Sequence, residues 1–300
     1  MESDYREIIE KYPVVQLMLN NEQRIEPLLT ATDRAVKKCG DKLVRLYREF
    51  KGIVSDFPKD VTTGNVEVNF KEQYVPLDVI LDMRTRIHHL PRTELRGLTQ
   101  LVRSNQYVTR LKMERYIEIM IYIVIIEELG AIFGESQETI LGNYTTSLGE
   151  IVAYYGLESE VDRNYDVIRD TVLPNDNRSF EDALDTMFYG AVGSIVTSTI
   201  RSLNTNYPYR TSVEAALQTF QNNHKAHLVL RNNYAFNLAM KNGGERGGVE
   251  KFRVVAVLDN RTTEFCKHIH GKEFFIWEGE VGVNIPPFHF NCRSIMELLL

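Results

Sequence analysis

Apolar residues recur every three to four positions through most of the chain, and the interruptions in that rhythm set the expected elements. Between Tyr5 and Gly52 the spacing predicts helices, cut once by Pro13. Val66, Val68 and Phe70 instead alternate with Glu67 and Asn69, which predicts a short strand or hairpin arm. Helical spacing resumes from Asp78 to Gly134 with a break near Pro91. Within it, Met113 to Ile126 is too evenly apolar for a surface helix and is expected at the centre of the fold. Residues 137–172 predict a further helical pair, interrupted at Gly149 and Gly156. After a loop at Pro174 to Asn177, Ser179 opens a helix that fades between Asn204 and Pro208. A long helix then starts at Thr211 or Ser212 and stops at Gly243 and Gly244. The GGERGG run that follows is expected as a flexible connector. It lacks the Lys-Ser or Lys-Thr of a phosphate-binding loop and precedes a strand rather than a helix.

The rhythm changes near residue 252. Phe252 to Leu258 is a β-branched, apolar run that ends at Asp259 and Asn260, whose side chains favour turns by bonding nearby backbone. Thr262 or Thr263 is expected to cap a single helical turn carrying Glu264, Phe265 and Cys266, and Gly271 to release the chain into a second strand, Lys272 to Trp277. Pro286 and Pro287 stiffen the return and put His289 and Cys292 on one short turn. The fold class is therefore α+β and mostly α-helical. A helical region, residues 1–207, precedes a small C-terminal α+β module, residues 208–300, with a short antiparallel sheet.

Composition narrows the function classes. The chain has 300 residues, 43% hydrophobic and 25% charged, long enough to bury about three quarters of its unfolded surface. A net charge of -6 excludes a polycation built to coat nucleic acid, so any such contact must be local. The longest apolar run, Ile119 to Ile126, falls far short of the ~20 residues that span a bilayer, and no membrane partner is expected. Three cysteines without a secretory leader pattern point to a reducing compartment rather than a disulfide framework.

One stretch opposes the overall charge. Between Arg84 and Arg115 basic residues greatly outnumber acidic ones, and Arg92, Arg96, Arg103 and Arg110 recur at intervals of four, seven and seven. On one helix these four fall in a narrow sector, with Leu95, Leu98, Leu101, Val102 and Val108 on the other side. Such a ridge suits the phosphate backbone of double-stranded DNA or an acidic partner. The same pattern also fits a solvated face paired with Asp and Glu elsewhere.

The densest chemistry lies between Asp259 and Arg293. Cys266, His289 and Cys292 are thiolate and imidazole ligands of the kind that hold zinc, and His268 or His270 would complete a tetrahedral set. In extended backbone Cys266 and His268 would point the same way. Zinc is the one cofactor these residues suggest. Three other readings stand beside it. The thiols are simply small buried groups, or they form a Cys266–Cys292 disulfide in an oxidised particle, or Asp259, Cys266, His289 and Cys292 serve a metal-dependent nuclease or hydrolase.

The series D-x-R-T-T-x-x-C at Asp259 to Cys266, H-G-K at His270 to Lys272, and P-P-x-H-x-N-C-R at Pro286 to Arg293 resembles the signature of the phage Mu F-like family, the minor head proteins of tailed bacteriophages. The resemblance covers roughly residues 213–297 and marks Asp259, Arg261, Thr262, Cys266, Gly271, Pro287, His289, Cys292 and Arg293. It departs at Arg231-Asn232-Asn233, where relatives carry an Arg-Thr-Glu-like triplet, and at Ser294, where many carry a further cysteine. The resemblance implies a non-enzymatic protein of the virion, at the portal vertex inside the capsid and in the host cytoplasm during assembly. Its implied partners are the portal protein, the major capsid or scaffolding protein, and packaged DNA. Its implied work is head assembly, DNA packaging or DNA ejection.

Overall fold

A computed structural model describes residues 2–57, 70–91, 95–158, 179–205 and 207–300. The expected strand at Val66 to Phe70 lies outside these apart from Phe70, as do Arg92 and the loop at Pro174 to Asn177. Nine α-helices are present among the described residues: α1 (Glu2–Lys11), α2 (Val15–Gln23), α3 (Glu26–Ser55), α4 (Leu77–His88), α5 (Arg96–Arg103), α6 (Met113–Tyr155), α7 (Phe180–Asn204), α8 (Tyr209–Arg246) and α9 (Glu264–Ile269). They accompany one sheet of β1 (Lys251–Ala256), β2 (Glu273–Phe275) and β3 (Ser294–Leu299). The mostly helical α+β class read from the sequence is the observed one.

The chain divides into two compact units. One gathers Thr30–Glu135 with Leu184–Asn223 and is all helical in its described residues. Its core is the even apolar run of α6: every residue from Ile119 to Ile126 is buried. Phe188 of α7 packs edge-on against both Phe133 and Phe220, and Tyr47 stacks on Tyr209 at 4.0 Å.

The other unit gathers Met1–Leu29, Ser136–Ala183 and His224–Leu300. Here the sheet runs β2-β1-β3, antiparallel throughout, with Lys251 opposite both Phe275 and Leu299. Phe252, Val254, Val255 and Ala256 of the central strand are all buried. The third strand, SIMELL, was not anticipated. It supplies the longer pairing partner of β1, from Ser294 to Leu299.

Two glycine expectations are corrected. The helix after Glu135 is not broken at Gly149: α6 continues through Gly142 and Gly149 to Tyr155, the break comes at Gly156 as expected, and residues 159–172 of the expected pair lie outside the described residues. A mid-helix glycine costs only about 1 kcal/mol, which burial of Ile140, Tyr144, Leu148 and Ile151 outweighs. The helix ends at Gly156, in the left-handed region at φ 63°, with the Leu157 amide bonded back to the Val152 carbonyl.

Likewise α8 does not stop at Gly243 and Gly244, and the GGERGG run is no flexible connector. The helix runs to Arg246 and closes on Gly248 at φ 71°, where the Val249 amide reaches the Gly244 carbonyl at 2.9 Å. Gly244 is required for close approach. A Cβ there would stand 2.6 Å from Ile276 and 2.7 Å from Leu298.

The arginine ridge does not form on one helix. Helix α5 ends at Arg103, because Ser104 and Asn105 turn their side chains back onto the Leu101 carbonyl. Arg110 lies beyond the helix, with its guanidinium 3.7 Å from the centre of the Tyr74 ring. Arg103 and Arg110 are both exposed.

Candidate functional site

The site begins where β1 leaves the sheet. Asp259 receives the Arg261 backbone amide at 2.8 Å, and the Thr262 hydroxyl bonds both Asp259 and the Val257 carbonyl. This turn then reaches across to the far end of the signature: the Arg293 guanidinium donates to Asp259 at 2.6 Å. That bond, reinforced by the Arg261 amide, holds the Asp259 carboxyl well below the usual carboxylate range. Asp259, Arg261, Thr262 and Arg293 thus form one clamp, tying the β1–α9 turn to the start of β3.

Thr263 is the N-cap of α9, its side chain accepting from the Cys266 amide. This places Cys266 on the first turn, facing inward and buried. Gly271, at φ 79°, turns the chain into β2 while its amide bonds the Val254 carbonyl. On the return, Pro286–Pro287 is a cis peptide, and the chain turns at Asn291, which sits at φ 59°. The Cys292 amide closes that turn on the His289 carbonyl at 3.2 Å.

Both segments deliver their ligands to one point. Among the described residues, Cys266, His289 and Cys292 form the group with metal-binding spacing, all ligand atoms lying within 4.8 Å of one another. The Cys266 sulfur stands 3.1 Å from His289 Nε2 and 3.9 Å from the Cys292 sulfur. Nδ1 of His289 bonds the Phe290 carbonyl at 2.8 Å, which makes that nitrogen the protonated one and leaves Nε2 with its lone pair toward the thiols. Bonding from Cys292, then from Thr263, Ser294 and His289, pulls the Cys266 thiol well below its usual range, against the opposing effect of burial. The bond to Cys266 and burial push Cys292 up.

His268 and His270 are not brought into this group. Residues 264–269 are helical rather than extended, so two positions rotate the side chain by ~200° and turn His268 away from Cys266. His268 instead bonds Lys272 at 2.8 Å. His270 accepts the Ala256 amide at 3.0 Å and packs edge-on against Tyr12. Asp259, engaged by Arg293, is likewise not part of the Cys266, His289 and Cys292 group.

A layer behind the site was missed in the sequence. Arg231, Asn232 and Asn233 of α8, which replace the triplet of the resembled family, are all buried. Asn233 donates its side-chain amide to the Cys292 carbonyl at 3.0 Å. One turn on, Asn237 accepts the Met296 amide at 2.8 Å and donates to the Asn233 carbonyl. Asn232 bonds Asn143 and the Asn21 carbonyl. The signal was present as several adjacent amide residues inside an otherwise apolar helix segment. An open cleft of ≈ 670 Å³ lies over the site, bounded by Glu22, Glu26, Arg261, His289, Asn291 and Arg293. Burial raises the Glu22 carboxyl while Arg293 pulls it the other way.

Residues 193–297 match the family model described as Phage Mu protein F like protein, a span that begins in α7 and ends in β3. No curated protein and no solved structure matches the chain. No helix among the described residues is long and apolar enough to cross a membrane.

Proposed function

We propose that this chain, a phage Mu F-like head morphogenesis protein by its match over residues 193–297, works as a minor head protein at the portal vertex inside the capsid. In this reading it binds the portal protein and supports head assembly, DNA packaging or DNA ejection. The observation that carries it is the family match itself, which covers α8 and the sheet that together hold the signature residues. In this region the signature residues serve architecture. Asp259 and Arg293 lock two loops, and Gly271 turns the chain into β2.

The action is binding rather than catalysis. The helical region, residues 1–207, docks on portal or inner shell, and residues 208–300 form the Mu F-like module. Exposed Arg103 and Arg110, with Arg92 and Arg96, remain the candidates for contact with packaged double-stranded DNA. Their affinity for it should fall steeply with salt if several phosphates are neutralised.

Affinity capture of the tagged full chain from infected cells tests the reading. Enrichment of the portal protein in fixed ratio is the expected result. Recovery of DNA and host proteins without portal or capsid protein would overturn it.

A further inference from the structure

We propose that Cys266, His289 and Cys292 form a three-ligand site for a zinc-class divalent cation, with the fourth position open to solvent from the cleft. The inference stands apart from the portal reading, since a metal site in this module requires no particular partner.

Four observations carry it. First, the donor set is two sulfurs and one imidazole, the set that selects zinc over hard cations such as calcium or magnesium. Second, the spacing is nearly that of a loaded site. Tetrahedral zinc with bonds of about 2.3 Å to sulfur and 2.05 Å to nitrogen separates two sulfurs by about 3.8 Å and a sulfur from a nitrogen by about 3.6 Å. The sulfurs here are 3.9 Å apart, and Cys266 and His289 Nε2 are 3.1 Å apart. Loading therefore needs the imidazole to move away from Cys266 by about half an ångström, within a triad whose ligand atoms all lie within 4.8 Å of one another.

Third, the surroundings of the ligands are those that metal-bound groups require. His289 donates its remote nitrogen to a backbone carbonyl, which fixes the tautomer that ligates through Nε2. Hydroxyls of Thr263 and Ser294 also reach the Cys266 sulfur. Fourth, Cys266 and Cys292 are only 2% and 1% exposed. Thiols so enclosed are reached only by small species, and a cation can pass by way of His289 and Cys292, which line the cleft.

The site joins α9 to the turn before β3, and it lies beside the Asp259–Arg293 clamp that joins the same two segments. A bound cation would thus close the module a second time.

The test is titration of the purified, reduced full chain with Co²⁺, a spectroscopic stand-in for zinc. One Co²⁺ per chain is expected, with a thiolate-to-metal charge-transfer band in the near ultraviolet and the intense visible bands of tetrahedral coordination. Equimolar Zn²⁺ should erase both. Cys292→Ser should halve the charge-transfer band or abolish it, His289→Gln should weaken Co²⁺ binding at least tenfold, and His268→Gln should leave the spectrum unchanged. Because a ligand variant can misfold, Ser294→Cys provides a gain-of-ligand control. Its side chain lies against Cys266, so a third thiolate should raise the charge-transfer band by about half. Absence of the band in the folded wild-type chain would overturn the assignment. So would its persistence in the Cys266→Ser, Cys292→Ser double variant, or its loss in His268→Gln.

Discussion

The side-chain amide of Asn233 holds the carbonyl of Cys292 at 3.0 Å, from the middle of α8 to the turn before β3. Both residues are buried, so neither polar group can fall back on water if the bond is lost. Leaving the Cys292 carbonyl without this donor costs about 1–3 kcal/mol. Asn233→Ala should therefore lower stability by that amount, read as a shift in the denaturant midpoint, while Asn233→Asp should cost at least as much by placing a charge there. A neutral Asn233→Ala would show the contact to be incidental.

The corrected glycines give predictions of opposite sign. Gly149 lies inside α6 with nothing within 4 Å of an added Cβ, so Gly149→Ala should stabilise by about 0.5–1 kcal/mol through helix propensity alone. Gly244→Ala gains the same propensity but forces a Cβ to 2.6 Å from Ile276 and 2.7 Å from Leu298. Both neighbours are buried and little free to move, and overpacking of this kind costs about 1–3 kcal/mol. A net loss of stability is expected. Thermal melts of the two variants should move in opposite directions.

His224 gives the fold a pH dependence. Burial, then the nearby charges of His227 and Lys225, pull it down to about 4 from 6.5. Between those values the unfolded chain binds a proton that the folded chain refuses, so stability falls as pH drops from 6.5 toward 4. The loss from this group is about 3 kcal/mol at the acid end. Urea denaturation across that range should show a shallower pH slope in His224→Gln, which retains a partner for the Ser136 hydroxyl now bonded at 3.2 Å. An unchanged slope would mean that His224 is protonated in the folded state.

The two site thiols should also respond to oxidant as a pair. With sulfurs 3.9 Å apart, treatment with diamide under chelator should link Cys266 to Cys292, the thiols losing two hydrogens to the diamide. Cys39 is fully buried, and burial pushes its thiol up, so it should remain free in the folded chain. Saturating Zn²⁺ should suppress the link. Peptide mapping by mass spectrometry reads all three cysteines. Equal oxidation with and without zinc would contradict metal protection.

Much of this architecture was legible because its determinants are local. Helix spacing, the N-cap at Thr263, the turn at Gly271 and the His289–Cys292 return each depend on a few neighbouring residues. What escaped depends on distant partners. The place where α8 ends is set by which glycine can adopt positive φ, while Gly244 is fixed by Ile276 and Leu298, which no local pattern reveals. The role of Asn233 and Asn237 appears only when β3 and the Cys292 turn stand against them. The arginine ridge failed for a local reason that was readable: Ser104 and Asn105 compete for the backbone and stop the helix before Arg110. His268 was misplaced because a strand period was assumed where Thr263 starts a helix.

The most direct measurement of the central claim is reconstitution of the purified full chain with the portal protein of the same phage, followed by size-exclusion chromatography and by quantitative mass spectrometry of purified heads. The account predicts co-elution with the portal in a fixed ratio and a few copies of the chain per head. Separate elution, together with absence of the chain from purified heads, would contradict a minor head protein at the portal vertex.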